Sequence, residues 1–168
     1  MGITIHFEGR LKNEESYNTL VKKVIEFSSF QEWDHFQFEN ESVTLKRVKD
    51  EENVNYEGPT KGVHIQPHEN SEPLIFEFDK DLYIQEFCKT QFASTEIHIK
   101  IIELLEILKE YFECLNVVDE GEYWETKSYD QLEEHWENFY IAMDRTIQEN
   151  SSLQGPFKLK SGRIIDLM

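Results

Sequence analysis

The sequence predicts an α+β fold: a mostly antiparallel sheet of about five to six strands, with three main helices, one early and two late, layered on one face. Three observations carry that reading. Apolar and polar residues alternate at the N-terminus and again between about Phe36 and Phe87, which is the period of strands. Apolar residues recur every three or four positions over Tyr17–Ile25, Ile97–Leu115 and Tyr129–Ile147, which is the period of helices. The strands also come mainly in one run and the late helices in another, so a parallel βαβ sheet is not expected.

Each element has a local reason. Ile3, Ile5 and Phe7 alternate with Thr4, His6 and Glu8, a half-buried strand that Gly9 is expected to end. Asn13 can cap the next helix, whose first turn carries Glu14 and Glu15 at the positive end of its dipole. Its inward stripe is Tyr17, Leu20, Val21, Val24 and Ile25. From Phe36 the run F-Q-F-E, the turn-like N-E-S and V-T-L-K-R-V read as a hairpin, followed by a polar loop from Lys49 to Asn55 and Gly58-Pro59. Val63–Gln66 and Leu74–Phe78 flank P-H-E-N-S-E-P as a second hairpin, and Leu82–Phe87 extends the sheet. Ser94 or Thr95 caps a central helix carrying Ile97, Ile101, Leu104, Leu108, Tyr111 and Leu115. Ile102, Leu105 and Phe112 widen that stripe, so this helix is expected to be covered on more than one side. Ser128 and Gln131 form a capping box for the last helix, with Tyr129, Leu132, Trp136, Phe139, Tyr140, Met143 and Ile147 inward. Residues 1–150 read as one domain. Residues 151–168 are a basic tail in which Phe157 and Leu159 alternate with Lys158 and Lys160, an added strand or a swapped arm.

Composition narrows the function classes. The 168 residues carry 12 Phe, 7 Tyr and 3 Trp, enough for a packed interior despite a net charge of −17. So negative a field repels nucleic acid, whose binding rests on Lys and Arg meeting phosphates. Cys88 and Cys114 lie far apart without a C-x-x-C, a pattern that fits a reducing cytoplasm and suggests neither a disulfide framework nor a metal site. No apolar run approaches the roughly 18 residues of a membrane span. No phosphate loop, nucleophile elbow or calcium loop is present, so no cofactor is implied.

The charge is uneven. Residues 96–149 hold 15 acidic and 4 basic side chains, whereas residues 150–168 hold 1 and 3. At the centre of the acidic part stands D-E-G-E-Y-W-E (119–125), the connection between the two late helices. Its carboxylates beside Tyr and Trp suit a surface that steers a basic protein, since clustered charge speeds encounter and aromatics anchor interfaces. The residues expected there are Asp119, Glu120, Glu122, Tyr123, Trp124, Glu125 and Trp136. An acidic antagonist that masks a basic toxin, as an immunity protein does, is one concrete form; this is an analogy from charge and size. A solvated helix face explains the same charge without a partner. If the stretch is extended, Glu120 and Glu122 share a side with Trp124, which permits glycosidase-like acid and base work without indicating it. Two rivals follow from other features. His64 and Glu77 on neighbouring strands suit a general base pair or part of a metal site. The basic tail suits a homodimer built by exchanging arms. His98 is expected at the boundary of its helix, and His135 lies among carboxylates that favour its charged form.

Overall fold

The computed structural model describes residues 2–168. Ten strands and four helices occur among them: β1 (Thr4–Leu11), α1 (Glu14–Phe30), β2 (Asp34–Leu45), β3 (Val48–Lys49), β4 (Glu52–Asn53), β5 (Tyr56–Gln66), β6 (Leu74–Phe78), β7 (Tyr83–Lys89), α2 (Thr95–Leu108), β8 (Phe112–Asp119), α3 (Tyr123–Thr126), α4 (Tyr129–Glu149), β9 (Phe157–Lys158) and β10 (Ile164–Ile165). The fold is α+β with antiparallel sheets and three main helices. None of these helices is long and apolar enough to cross a membrane.

Two three-stranded sheets, β2-β5-β6 and β7-β1-β8, meet at the turn Asp79–Leu82 between β6 and β7. They splay there, because β6 and β7 adjoin without sharing a ladder. On one side Ile5, Phe7, Val63, Phe76, Phe78 and Ile84 are buried with the apolar stripes of α1 and α2. Phe7 and Phe76 tie the sheets across the splay, ring centroids 5.5 Å apart, and Tyr17 of α1 meets Phe78 edge-on. A side chain as fully buried as Phe76 contributes about 1.5–3 kcal/mol relative to exposure. The opposite side of the sheets carries His6, Glu8, His64, Ile75 and Glu77, which alternate with the buried positions.

The predicted N-caps form, but the capping box of Ser128 and Gln131 is only half made, because the Ser128 amide donates to Thr126 Oγ1 (3.1 Å). Asn13 Oδ1 accepts from Ser16 N (2.8 Å), Ser94 Oγ from Ile97 N (3.2 Å) and Ser128 Oγ from Gln131 N (3.3 Å). In α4 the buried side chains are Leu132 and Phe139, while Tyr129 and Tyr140 are exposed; the inward stripe is narrower than the periodicity suggests.

Three local expectations are corrected. Asn40-Glu41-Ser42 does not turn the chain: β2 runs through it, paired with β5 on both sides, and a bulge between Asn40 and Val43 absorbs the one extra residue. The turn comes at Asp50 and Glu51, both left-handed (φ 50° and 66°), which close the β3–β4 hairpin. Phe112–Asp119 is a strand, so the central helix stops at Leu108 and passes through a 3-10 turn, Lys109–Tyr111. Leu108, Phe112 and Leu115 fit the helical period, but from Phe112 onward pairing with β1 decides their conformation. Gly9 does not end β1. It pairs with both Leu115 and Ile84 in mid-sheet, where a Cβ would lie 2.4 Å from the Cys114 carbonyl.

The tail joins neither main sheet. It folds back as the β9–β10 hairpin and docks on its own chain. Glu72, only 1% exposed, receives it: Oε1 accepts from Ile164 N (3.0 Å), and Oε2 from Lys89 N (3.0 Å) and Arg163 Nη1 (3.2 Å). Asp166 adds an ion pair with Lys89 at 2.6 Å.

Candidate functional site

The acidic connection is a turn and a one-turn helix, not an extended segment, and most of its groups are engaged internally. Asp119 ends β8 opposite Ile5 and is 5% exposed. Its Oδ1 accepts from Gly121 N (2.8 Å) and its Oδ2 from Trp124 N (2.9 Å), which fixes the turn and the start of α3. His98 Nε2 lies 3.0 Å from Oδ1, off the line of a well-formed hydrogen bond, so the two groups sit in contact without one. Burial works against the ionised form of Asp119. The His98 imidazole and the two amides outweigh it and hold the carboxyl below its ordinary range. On its other side His98 Nδ1 is 2.8 Å from Thr90 Oγ1, and Thr90 donates to the Ile3 carbonyl (3.2 Å). The order Thr, His, Asp resembles a catalytic relay, but Thr90 and His98 are fully buried and no substrate reaches them. The three residues clamp β1, β7, β8, α2 and α3 together.

The other predicted contact residues divide similarly. Glu120 Oε2 accepts from Thr4 N (2.7 Å), and its Oε1 is 3.7 Å from His6. The neighbouring His6 leads in lowering its carboxyl; burial opposes, and the Thr4 amide assists. Glu122 is left-handed (φ 58°) and meets His135 Nε2 at 2.7 Å, so the carboxylate at that histidine comes from the connection and not, as expected from the sequence, from Glu133, Glu134 or Glu137 of its own helix. Tyr123 and Trp124 pack against the core, and Lys127 and Lys109 stand over the Trp124 ring at 4.9 and 5.6 Å. Trp136 presents its ring edge-on to His98 at 5.8 Å. Glu125 is exposed, and no ion pair among the described residues includes it.

His64 and Glu77 share the open face but do not oppose each other: His64 pairs with Ile75, and Glu77 with Gly62. His64 stacks on Phe36, centroids 4.7 Å apart and planes 12° from parallel, and burial lowers its pKa. Glu77 Oε2 accepts from Thr60 Oγ1 at 2.6 Å. Glu77 instead lines a groove of about 700 Å³ at the splay between β6 and β7, with Glu8, Glu86, Phe87 and Arg163 among the other walls. Arg163 reaches in from the tail. Its guanidinium lies 3.9 Å from the Phe87 ring centroid, donates to the Phe87 carbonyl (2.9 Å) and pairs with Glu86 at 3.2 Å. Burial nevertheless pushes the Glu86 carboxyl up to about 7, with Arg163 opposing and Glu77 adding to the rise.

No family model, curated protein or solved structure matches the chain. Among the described residues no three His, Cys, Asp or Glu side chains converge as metal ligands.

Sequence reasoning passed over Glu72, Glu86, Thr90 and the burial of His98. Two carried a signal. Glu86 stands between Ile84 and Cys88 at an inward position of an alternating strand, and His98 one turn before Ile101 and Ile102 on an apolar helix. Polar residues at such places require partners, but the partners lie far away in sequence.

Proposed function

We propose that the chain is a non-enzymatic binding protein that offers an acidic surface to a basic protein partner; an antagonist masking a basic effector is one such protein. The observation that carries this reading is the outer side of α4. Asp130, Glu133, Glu134, Glu137, Asp144 and Glu149 are all exposed there, against Arg145 as the helix's one Lys or Arg. No ion pair among the described residues uses Asp130, Glu134 or Glu137. Exposed carboxylates free of internal partners keep their field for an incoming cation. The contact surface thus moves outward from the predicted stretch: Glu125, Asp130, Glu134 and Glu137 face solvent without an ion pair among the described residues, whereas Asp119 is buried and Glu120, though exposed, is held by Thr4 and His6.

The test is affinity capture at low salt with a stepwise salt wash, since exposed charge pairing is screened. The natural chain is expected to retain a stoichiometric basic protein that elutes as salt rises. A triple variant, Glu125→Lys, Glu134→Lys and Glu137→Lys, is expected to lose it while keeping its thermal unfolding profile. Equal capture by that variant would refute the surface assignment. Glu120→Lys and Glu122→Lys are poor probes, because they disturb the contacts with Thr4, His6 and His135.

A further inference from the structure

The geometry points to the groove between β6 and β7 as a seat for an arginine side chain of the basic partner, an assignment that rests on the acidic-surface reading above. The splay between the sheets creates it: because β6 and β7 share no ladder, a trough of about 700 Å³ opens on the side the helices leave uncovered. Ile75, Phe87 and Val118 supply apolar walls for an aliphatic stem, and Glu8, Glu77 and Glu86 supply carboxylates for its charged end.

The chain's own Arg163 demonstrates the fit of a guanidinium there, stacked on Phe87 and paired with Glu86. Arg163 and Lys46 stand against the three carboxylates Glu8, Glu77 and Glu86 in the lining, which leaves the site one positive charge short. Arg163 also serves Glu72, Glu8 accepts from Tyr83 and Gln85, and among the described residues the Glu77 carboxylate accepts from Thr60 alone. Burial still holds Glu86 partly protonated near neutral pH, with Glu77 raising it and Arg163 and Arg47 lowering it. Lys46 also lines the trough, from the exposed arm after β2, and makes no ion pair among the described residues. A second guanidinium beside Glu77 and Glu86 would discharge that crowding, and its planar fork suits bidentate pairing with a carboxylate better than an ammonium does. The groove also opens beside the acidic connection, because His6 on its wall is 3.7 Å from Glu120. A partner that places an arginine in the trough therefore also reaches the edge of the acidic connection at Glu120.

The probe is acetyl-Gly-Arg-Gly amide, titrated into the full chain with its glutamate carboxyl carbons isotopically labelled and followed by NMR. Saturable shifts of the Glu77 and Glu86 signals are expected, with the Glu86 titration midpoint moving to lower pH. Glu77→Gln is expected to weaken the peptide about tenfold, the scale of one charge-assisted bond. Val118→Arg, at a position 63% exposed and so tolerant of substitution, should block the seat without unfolding the chain. The lysine analogue of the peptide is expected to bind more weakly; equal binding would overturn the preference for arginine. Unmoved Glu77 and Glu86 signals, or shifts indifferent to both variants, would overturn the seat itself. Loss of binding only in the Glu125, Glu134 and Glu137 triple variant would place the peptide on the acidic surface of α3 and α4, overturning the seat while leaving that surface standing. Peptide binding that Val118→Arg abolishes, together with undiminished partner capture by the α4 variant, would support the seat and refute the α4 surface alone.

Discussion

Replacing Glu86 with glutamine should stabilise the protein in mild alkali and do little in mild acid. The carboxyl is 13% exposed and is pushed from its ordinary 4.5 to about 7, chiefly by burial. A carboxyl whose folded value lies above its unfolded value contributes stability below the unfolded value, and that contribution is lost as the pH rises through the folded one. At about 1.4 kcal/mol for each tenfold in proton affinity, ionised Glu86 costs the native state about 3 kcal/mol above neutrality. Glutamine removes that cost but also the charge facing Arg163, which keeps Glu72 and the Phe87 carbonyl as acceptors. A net gain of about 1–3 kcal/mol at about pH 8 is therefore expected, shrinking toward zero near pH 5. In a chain of this length each kcal/mol moves the melting temperature by about 2–4 °C. Thermal and urea unfolding of both proteins at the two pH values measure the gap. A variant no more stable than the natural chain at the higher pH, or a gap independent of pH, would refute the account of Glu86 as a carboxyl strained by burial.

Two further substitutions test contacts that hold the site in place. His98→Ala leaves the buried Asp119 carboxylate without its imidazole neighbour and should cost about 3–5 kcal/mol by urea unfolding. A loss below about 1 kcal/mol would show that the Gly121 and Trp124 amides suffice. Glu72→Ala strands the Ile164 amide and releases one bond to Arg163, so the tail should loosen by about 2 kcal/mol. Limited proteolysis should then cut within residues 150–156, and cleavage no faster than in the natural chain would count against Glu72 as the tail's receptor.

Legibility in the sequence followed the range of each interaction. The three helix caps lie within three residues of what they cap, and all three are visible in the sequence as Asn13, Ser94 and Ser128. Periodicity marked β1, the pairing of β5 with β6, and the inward sides of α1 and α2, because burial repeats with local geometry. It failed at Phe112–Asp119 and at Asn40–Ser42, where the local pattern suits two structures and pairing with β1 or β5 chooses between them. The candidate site was legible only as composition. Carboxylates crowd residues 119–137, but nothing nearby marks Asp119 as spent on His98, Glu120 as held by Thr4, or Glu125 as free.

By itself, then, the sequence determined the layered α+β architecture, the capped helix starts and the concentration of negative charge late in the chain. Only the tertiary structure decided which carboxylates face solvent, where the tail docks and how the splayed sheets open a groove around Glu77 and Glu86. The physical reason is separation along the chain. Thr4 and Glu120 are 116 residues apart, Glu72 and Ile164 are 92 apart, and such pairs meet only once the whole core has closed.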